Sequence, residues 1–494
     1  MKLLLPALAL GLAALAALAG PAAAQRADIT IGMQLEPPHL DPTAGAAAAI
    51  DEVVYANVFE GLTRFAPDGT VRPGLAERWE VAPDGLSWVF YLRPGVTFHD
   101  GVALTAEDVA FSFDRAMAPD SVNAQKALFE GINEVTAIDD VTVEIGLDAP
   151  KGDLLFNLAW GDAVIVSPAT ADDNRTHPVG TGPFRFERWV QGDRVELGRN
   201  PDYWGEPAKL DKVTFKFIAD PTAAFAAMMA GDVDAFPVFP AAENLAQFEA
   251  DPRFQVIIGS TEGETILAMN NARPPFDDIR VRRAVSMAVD RQAVIDGAMF
   301  GYGTPIGSHF APHHPAYVDL TGRYPFDPEA ARALLAEAGY PEGFSTTLAL
   351  PPPAYARRGG EIVASQLRAV GIDTQIVNVE WAQWLEQVFT NRDFGLTVVS
   401  HTEPMDIGVY ARPDYYFGNA DPVVRALLAG LGGLTDPEDR DEVLRAVQAR
   451  VADQAVNVFL FQLPKTGVAD VRIEGLWTDM PTQANDMTAV YWRE

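Results

Sequence analysis

Short apolar runs separated by turn residues fill the chain between residues 55 and 115. Asp-Gly pairs stand at positions 68–69 and 84–85. An Asp-Gly pair between apolar runs favours the tight turn of a β-hairpin. The pattern therefore predicts that residues 79–81 and 86–92 are paired strands.

Other stretches of the first half show the same alternation. Residues 28–34 read as a strand that ends at Pro37, because proline cannot donate to a β-ladder. Residues 135–147 read as a hairpin around the Asp pair at 139–140. Residues 184–190 and 195–198 are predicted to form a further hairpin.

Helix starts carry one repeated signal, an Asp followed by Pro. The Asp side chain accepts a hydrogen bond at the helix start, and Pro suits the first helical position. Thr105 is predicted to cap another helix, beginning near residue 106. Glycines mark the expected helix ends. The three Asp-Pro starts are Asp220, Asp327 and Asp436, and the stops are Gly231, Gly339 and Gly371.

Helices and strands alternate between residues 327 and 379. A helix from 328 precedes a strand near 345–350, and a helix over 360–370 precedes a strand over 372–379. Alternation of this kind predicts an α/β domain with a mainly parallel sheet.

The first residues predict export. Lys2 is followed by an apolar run over 3–19, and Ala22-Ala23-Ala24 offers a small-residue cleavage site. This pattern is typical of a secretory signal peptide, here residues 1–24, and a retained membrane anchor is the alternative. No Cys follows the run, so a lipid anchor is excluded. The expected location is the periplasm of a Gram-negative bacterium.

Composition narrows the chemistry. The 494 residues include no Cys, which excludes disulfides, thiolate metal sites and a cysteine nucleophile. Lys and Arg number 37 against 68 Asp and Glu, a net charge of −31. Such a surface repels nucleic acid and anionic lipid heads, so neither is an expected partner. Beyond residue 24 no stretch approaches the roughly 20 apolar residues of a membrane span.

Catalytic motifs are missing from the sequence. It has no Gly-x-Ser-x-Gly elbow and no His-Glu-x-x-His zinc helix. His309, His313 and His314 cluster in SHFAPHHP, but Pro312 and Pro315 break helical ligand spacing. An ordinary loop near a lobe face is the preferred interpretation, and no metal is predicted.

Three stretches resemble one family of proteins. They are residues 55–115, residues 179–204 (VGTGPF through NPDYW) and residues 275–295 (PFDDIRVRRAVSMAVDRQAVI). The chain resembles the large solute-binding proteins of ATP-driven importers for peptides, nickel complexes and related solutes. Such proteins capture and deliver a solute, so the resemblance implies no enzymatic activity and no cofactor.

The resemblance also implies the architecture. It is an α/β, two-lobed periplasmic-binding-protein fold (type II, enlarged cluster C form) with an extra subdomain on the first lobe. Lobe crossings are expected near residues 265 and 467. The implied units are lobe I (28–60, 176–265 and 468–494), the subdomain (61–175) and lobe II (266–467).

The ligand is expected in the cleft between the lobes. Family members that take peptides lay the ligand along the N-terminal loop as an added strand, so backbone atoms hold it. Trp381 matches a cleft-facing aromatic, whereas Trp384 is assigned to the core. Residues 400–410 follow a predicted strand, and ligands of open α/β sheets bind beyond strand ends.

Two departures from the peptide-binding pattern bear on the ligand. His401 stands where relatives have Trp, and the acid that would hold a ligand amino group is Glu403 or Asp406. The Arg of dipeptide-selective relatives is missing before Tyr355, which argues against a dipeptide specialist and leaves Arg412 as a partner for a carboxylate. The predicted ligand-binding residues are Met33, Gln34, Glu36, Tyr355, Trp381, His401, Thr402, Glu403, Asp406, Tyr410 and Arg412.

The resemblance thus implies a monomeric receptor for a short peptide or peptide-like amine, which docks on an inner-membrane ABC permease without inserting into the membrane. Three alternatives stay open. The solute could be a nickel chelate, an opine or a similar amine. The protein could be a secreted hydrolase. It could also serve a chaperone-like or sensory role.

Overall fold

A computed structural model describes residues 26–45, 47–402, 405–434 and 436–494. The predicted signal peptide lies outside these residues. Within them the strands are β1 (Asp28–Met33), β2 (Thr63–Phe65), β3 (Val71–Pro73), β4 (Ala76–Val81), β5 (Ser87–Leu92), β6 (Ile132–Asp139), β7 (Thr142–Leu147), β8 (Phe184–Val190), β9 (Arg194–Arg199), β10 (Lys212–Phe217), β11 (Ala235–Phe236), β12 (Phe254–Met269), β13 (Thr304–Pro305), β14 (Phe344–Leu350), β15 (Ile372–Asn378), β16 (Leu396–His401), β17 (Asn457–Asp470), β18 (Ile473–Glu474) and β19 (Tyr491–Trp492).

The helices pack against the sheets and against one another. They are α1 (Ala48–Val54), α2 (Ala106–Met117), α3 (Leu154–Asn157), α4 (Pro221–Ala230), α5 (Leu245–Glu249), α6 (Ile279–Ala288), α7 (Arg291–Met299), α8 (Pro328–Glu337), α9 (Ala354–Ala369), α10 (Trp381–Trp384), α11 (Pro422–Leu431) and α12 (Pro437–Asp453). Across the described ranges, no helix combines the length and apolar content needed to cross a membrane.

One mixed sheet runs through most of the molecule. Its order is β15-β14-β16-β12-β17-β11-β1-β10-β9-β8, with β13 beside β17. The antiparallel ribbon β12–β17 is its middle. One end of the ribbon continues to β11 through Phe236 and Val468, and the other continues to β16 through Glu264 and His401. The pairing slips between Ser260 and Glu264.

The predicted lobe crossings near 265 and 467 fall within this ribbon, although the lobe boundaries themselves stay a prediction. Separate apolar cores surround it. One core includes Ile31, Phe59 and Phe215, and another includes Phe90 and Phe113. Two more occupy the chain between 266 and 461. Because the cores are separate, the parts of the chain built around each core can move relative to one another as units.

Local predictions from turn residues are confirmed. Val81 pairs with Trp88 across the turn at 84–85, where Gly85 has a φ of 73°. β6 and β7 form the predicted hairpin, as do β8 and β9. The side chains of Asp220, Asp327 and Asp436 accept backbone hydrogen bonds at the starts of α4, α8 and α12.

One prediction needs correction. The helix expected over 360–370 begins at Ala354 and includes Gly360 as a close-packing position, where a Cβ would clash with Leu350. The parallel pairing predicted from the alternation over 327–379 is confirmed, because β14 pairs in parallel with β15 and β16. The sheet as a whole is mixed because the chain returns through the antiparallel ribbon.

Glu60 joins stretches of the chain that resemble the family at one buried point. Its carboxylate accepts hydrogen bonds from Thr181 Oγ1, Tyr203 OH and Trp204 Nε1, each at 2.8 Å. The residues around 55–61, the GTGPF run and the NPDYW run therefore meet in space. Buried polar groups need such partners, and here one acceptor satisfies three donors.

Candidate ligand-binding site

A cavity of about 180 Å³ lies where three parts of the chain meet. Helix α1 and its preceding loop form one wall, the segment around residue 160 forms a second, and the β12–β17 ribbon forms a third. Its lining residues are Gly45, Ala48, Asp51, Gln125, Trp160, Asp162, Thr261, Glu262, Gly263, Thr402, Leu463, Met480, Pro481, Thr482 and Gln483. One water takes up about 30 Å³ in the liquid, so this volume suits a polar head group, and a larger ligand requires the walls to part.

Two carboxyl groups face each other across the first two walls. Asp51 lies on α1, and its carboxylate packs so closely on Gly161 that a Cβ there would clash with it. Asp162 follows directly and is only 5% exposed. Burial raises the pKa of Asp162 to about 7. Burial, and then the neighbouring charges of Asp162 and Glu52, raise the pKa of Asp51 well above its usual range.

A second, smaller cavity has a volume of about 90 Å³. Met33, Gln34 and Leu35 contribute to its lining, together with Glu52 from α1. Burial raises the pKa of Glu52 to about 7. Because Asp51 and Glu52 are neighbours in α1, this helix presents carboxyl groups to both cavities.

Behind the first cavity lies a buried network of acids and imidazoles. Antiparallel pairing of β12 with β16 sets Glu264 opposite His401. His309 lies between the two acids, with Nδ1 3.1 Å from Glu264 Oε1 and Nε2 2.8 Å from Asp406 Oδ1. His401 Nδ1 is 3.1 Å from Asp406 Oδ2, and its Nε2 is 3.0 Å from Tyr416 OH.

The network is charged. Burial lowers the pKa of His309, but the carboxylates of Glu264 and Asp406 outweigh burial and raise it to about 10. Burial also raises the pKa of Glu264 to about 7, against the opposing effect of His309. For Asp406 the two histidines outweigh burial and hold its pKa below the usual range. At neutral pH His309 is therefore a buried cation that neutralises Asp406.

The other two histidines of the SHFAPHHP run have different surroundings. His313 Nε2 lies 2.5 Å from Glu262 Oε1, and its Nδ1 lies 2.8 Å from Ser260 Oγ. His314 stacks on Phe310 with ring centroids 4.1 Å apart. The three imidazoles do not converge on one point. In the described part of the chain, the atoms that could hold a metal ion together belong to Glu264, His401 and Asp406, within 4.8 Å of one another.

The structure brings some predicted ligand residues to the cavities. Thr402 lines the first, and Met33 and Gln34 line the second. His401 and Asp406 belong to the network behind them. The Tyr355 hydroxyl accepts a hydrogen bond from Ser400 N, and this contact holds the end of β16 in place.

Other predicted residues lie elsewhere. Glu36 Oε1 accepts hydrogen bonds from Trp189 Nε1 and Gly192 N, so it fixes the β8–β9 turn. Tyr410 is 1% exposed, within the core. Trp381 is 42% exposed and packs edge-on against Trp384, which is buried as predicted. Arg412 is exposed and faces Asp414. Glu403 lies outside the described residues.

Sequence reasoning missed several site residues. Asp51, Trp160 and Asp162 line the cavity, and Glu264 belongs to the network, whereas His309 was singled out only as part of a histidine cluster. A signal existed for two of them. Asp51 interrupts the apolar pattern of α1, and Glu264 directly precedes the buried run 265–269 of β12. A carboxylate in an apolar run is rarely buried without a partner or a function.

A two-lobed α/β fold of this kind defines a class of extracytoplasmic solute-binding proteins. Residues 70–420 match the profile of the bacterial extracellular solute-binding proteins, family 5 Middle. Heme-binding protein A of Haemophilus influenzae is 31% identical over 442 residues, covering 81% of this chain and 80% of that protein. Glutathione-binding protein GsiB of Pectobacterium atrosepticum is 34% identical over 377 residues, covering 74% and 71%. The chain belongs to family 5 of the solute-binding proteins of ABC importers.

Solved structures agree with this assignment. HbpA2 from Haemophilus parasuis has a TM-score of 0.85 at 26% identity, over 94% of this chain and 100% of that one. AgaA from A. tumefaciens R10, in complex with agropinic acid, has a TM-score of 0.77 at 26% identity, over 94% and 99%. NikA from Brucella suis, in complex with Fe(III)-EDTA, shares the fold with a TM-score of 0.84 at 22% identity, over 94% and 100%. The predicted family and fold are confirmed.

Proposed function

We propose that this chain is the exported receptor for a short peptide or peptide-like solute, which it delivers chemically unchanged to an inner-membrane permease. One observation carries the proposal: a single cavity takes its walls from α1, the segment around residue 160 and the β12–β17 ribbon. A solute held there touches parts of the chain that belong to separate apolar cores. It therefore stabilises the arrangement in which those parts are together.

The mechanism is a population shift. The chain opens and closes about the ribbon, and the solute binds the closed form more tightly because only that form supplies all walls. A micromolar dissociation constant corresponds to about −8 kcal/mol, net of the cost of closure. The slip in pairing between Ser260 and Glu264 lies beside the cavity and is a suitable place for bending.

The remaining parts of the proposal come from the sequence and the relatives. A signal peptide over 1–24 sends the chain to the periplasm, where it works as a monomer. It does not catalyse a reaction. Relatives that bind heme, glutathione or agropinic acid show that the family accepts several solute classes, and a peptide-like amine fits the acidic cavity of this chain.

Filling the cavity is expected to abolish solute binding. Ala48 is exposed on α1 and lines the cavity, so Ala48→Trp places an indole there without disturbing a core. Thermal melting should be recorded with a tripeptide mixture, glutathione, hemin, agropinic acid and a nickel chelate. The wild type should gain several degrees with at least one solute by mass action, and Ala48→Trp should gain none.

Ala246→Trp is the matched control, because Ala246 is exposed on α5 and does not line either cavity. X-ray scattering should show a smaller radius of gyration when the solute is bound, and mass spectrometry should recover the solute intact. An unchanged scattering profile with saturating solute, or a cleaved solute, would contradict the proposal.

A further inference from the structure

The acids of the first cavity lack a compensating cation. The lining residues of this cavity, all within the described part of the chain, include three acids and no Lys, Arg or His. Glu262 is paired with His313. The buried Oδ1 atoms of Asp51 and Asp162, by contrast, have no hydrogen-bond partner among the residues that the structure describes. Two carboxyl groups without a cation among the lining residues thus border the same cavity.

The surroundings do not explain why these acids are there. Asp41, whose charge also raises the pKa of Asp162, is already bound to Arg115, whose guanidinium lies 3.3 Å from Asp41 Oδ2. Two neighbouring carboxylates repel each other, and a buried carboxylate without a partner is costly. Their raised pKa values reflect the same situation. Acids that lower the stability of the ligand-free protein are typical of binding sites, where the ligand provides the missing partner.

Trp160 completes a recognisable arrangement. Its indole lines the same cavity, and Phe156 packs edge-on against it with ring centroids 6.4 Å apart. The face of an indole attracts a cation. Its buried Nε1 also has no hydrogen-bond acceptor in the described ranges, so a ligand that parts the walls can supply a carbonyl oxygen to it.

We propose that Asp51 and Asp162 bind a cationic nitrogen of the solute, with Trp160 beside it donating to an adjacent carbonyl oxygen. This inference rests on the proposed receptor function and specifies the class of solute: a primary amine or guanidine next to a carbonyl group, as at the free amino terminus of a peptide. The proposed cation site thus lies between α1, which carries Asp51, and the segment around residue 160, which carries Asp162. The resemblance instead implies Glu403 or Asp406, and Asp406 already contacts His309 and His401, at 2.8 and 3.1 Å.

Two peptide mixtures test the site. An equimolar tripeptide mixture with free amino termini and the same mixture after N-acetylation are incubated with the purified protein, and retained members are counted by mass spectrometry. We expect the wild type to retain free-amine members at least tenfold over their acetylated forms. Asp162→Asn should reduce that retention at least tenfold, because the amide cannot balance the cation.

Asp172→Asn is the matched control, since it removes the same charge from an exposed position. Two outcomes would overturn the cation site and leave the receptor function unaffected. One is equal retention of both mixtures by the wild type, and the other is full retention of free amines by Asp162→Asn. Retention of neither mixture contradicts the proposed peptide function instead. The cation site is then decided by 1,4-diaminobutane: it should raise the melting temperature of the wild type but not of Asp162→Asn, and an equal response overturns the site.

The solute-free protein gives an independent readout. If the Asp162 carboxylate has no partner in the protein, Asp162→Asn should have a higher melting temperature than the wild type, because a neutral amide is easier to bury than a carboxylate. A lower melting temperature would mean that the carboxylate holds the fold together, and it would overturn the cation site whatever the peptide mixtures show.

Discussion

Replacing His309 by leucine should lower the free energy of unfolding by about 3–5 kcal/mol, the usual cost of removing one partner from a buried ion pair. Glu264 is 3% exposed and His309 is 2% exposed, so neither has water as an alternative partner. Without the imidazolium, Glu264 and Asp406 would face each other as unpaired acids. Urea unfolding at pH 7 measures the difference.

His177→Leu is the control for that experiment. His177 is exposed and packs edge-on against Phe186, so its loss should change the free energy of unfolding by less than about 0.5 kcal/mol. If both variants unfold at the same urea concentration, His309 is not the cation of the network.

The stabilisation by His309 should also depend on pH. Its pKa is raised from 6.5 to about 10, so between these values the folded chain holds a proton that the unfolded chain has released. Folded-state stability contributed by such a group is complete below pH 6.5 and falls as pH rises, by up to about 1.4 kcal/mol per pH unit. The gap between the wild type and His309→Leu should therefore narrow from pH 7 to pH 9. A gap that widens would contradict a protonated His309.

Turn and cap residues made the local structure predictable. Gly85 needs a positive φ, and Asp220 needs free backbone N–H groups next to it, so each constrains its neighbours directly. The sheet as a whole was not predictable in this way. Whether β12 pairs with β17 depends on contacts between residues some 200 positions apart, and no local pattern encodes them.

The residues of the candidate site were also only partly predictable from the local sequence. Thr402 was predicted because residues at the end of a strand often reach a ligand, and it does line the cavity. Asp51 and Asp162 are 111 positions apart in the chain, and only the folded packing of α1 on Gly161 brings them together. The sequence showed that acids are abundant, but it could not show which of them lack a cation.

Replacing Glu60 by leucine should lower the free energy of unfolding by about 3–5 kcal/mol. One buried donor loses its acceptor at a cost of about 1–3 kcal/mol, and two half-buried donors lose theirs at the low end of that range, about 1 kcal/mol each. The donors are Thr181 Oγ1, Tyr203 OH and Trp204 Nε1. A leucine side chain fills similar space without accepting a hydrogen bond, so the loss measures the polar contacts. Denaturant unfolding followed by tryptophan fluorescence reports it directly, since Trp204 is at the junction.

Glu60→Gln separates the contribution of charge from that of shape. The amide keeps one acceptor oxygen but turns its NH₂ group toward donors, so about half of the leucine effect is expected. Glu77→Leu is the control, because Glu77 is exposed on β4 and should change the free energy by less than about 0.5 kcal/mol. If Glu60→Leu were as stable as the wild type, residues 55–61 and the GTGPF and NPDYW runs would not depend on Glu60 for their junction. Packing among Phe59, Phe184 and their neighbours would then be enough to hold them together.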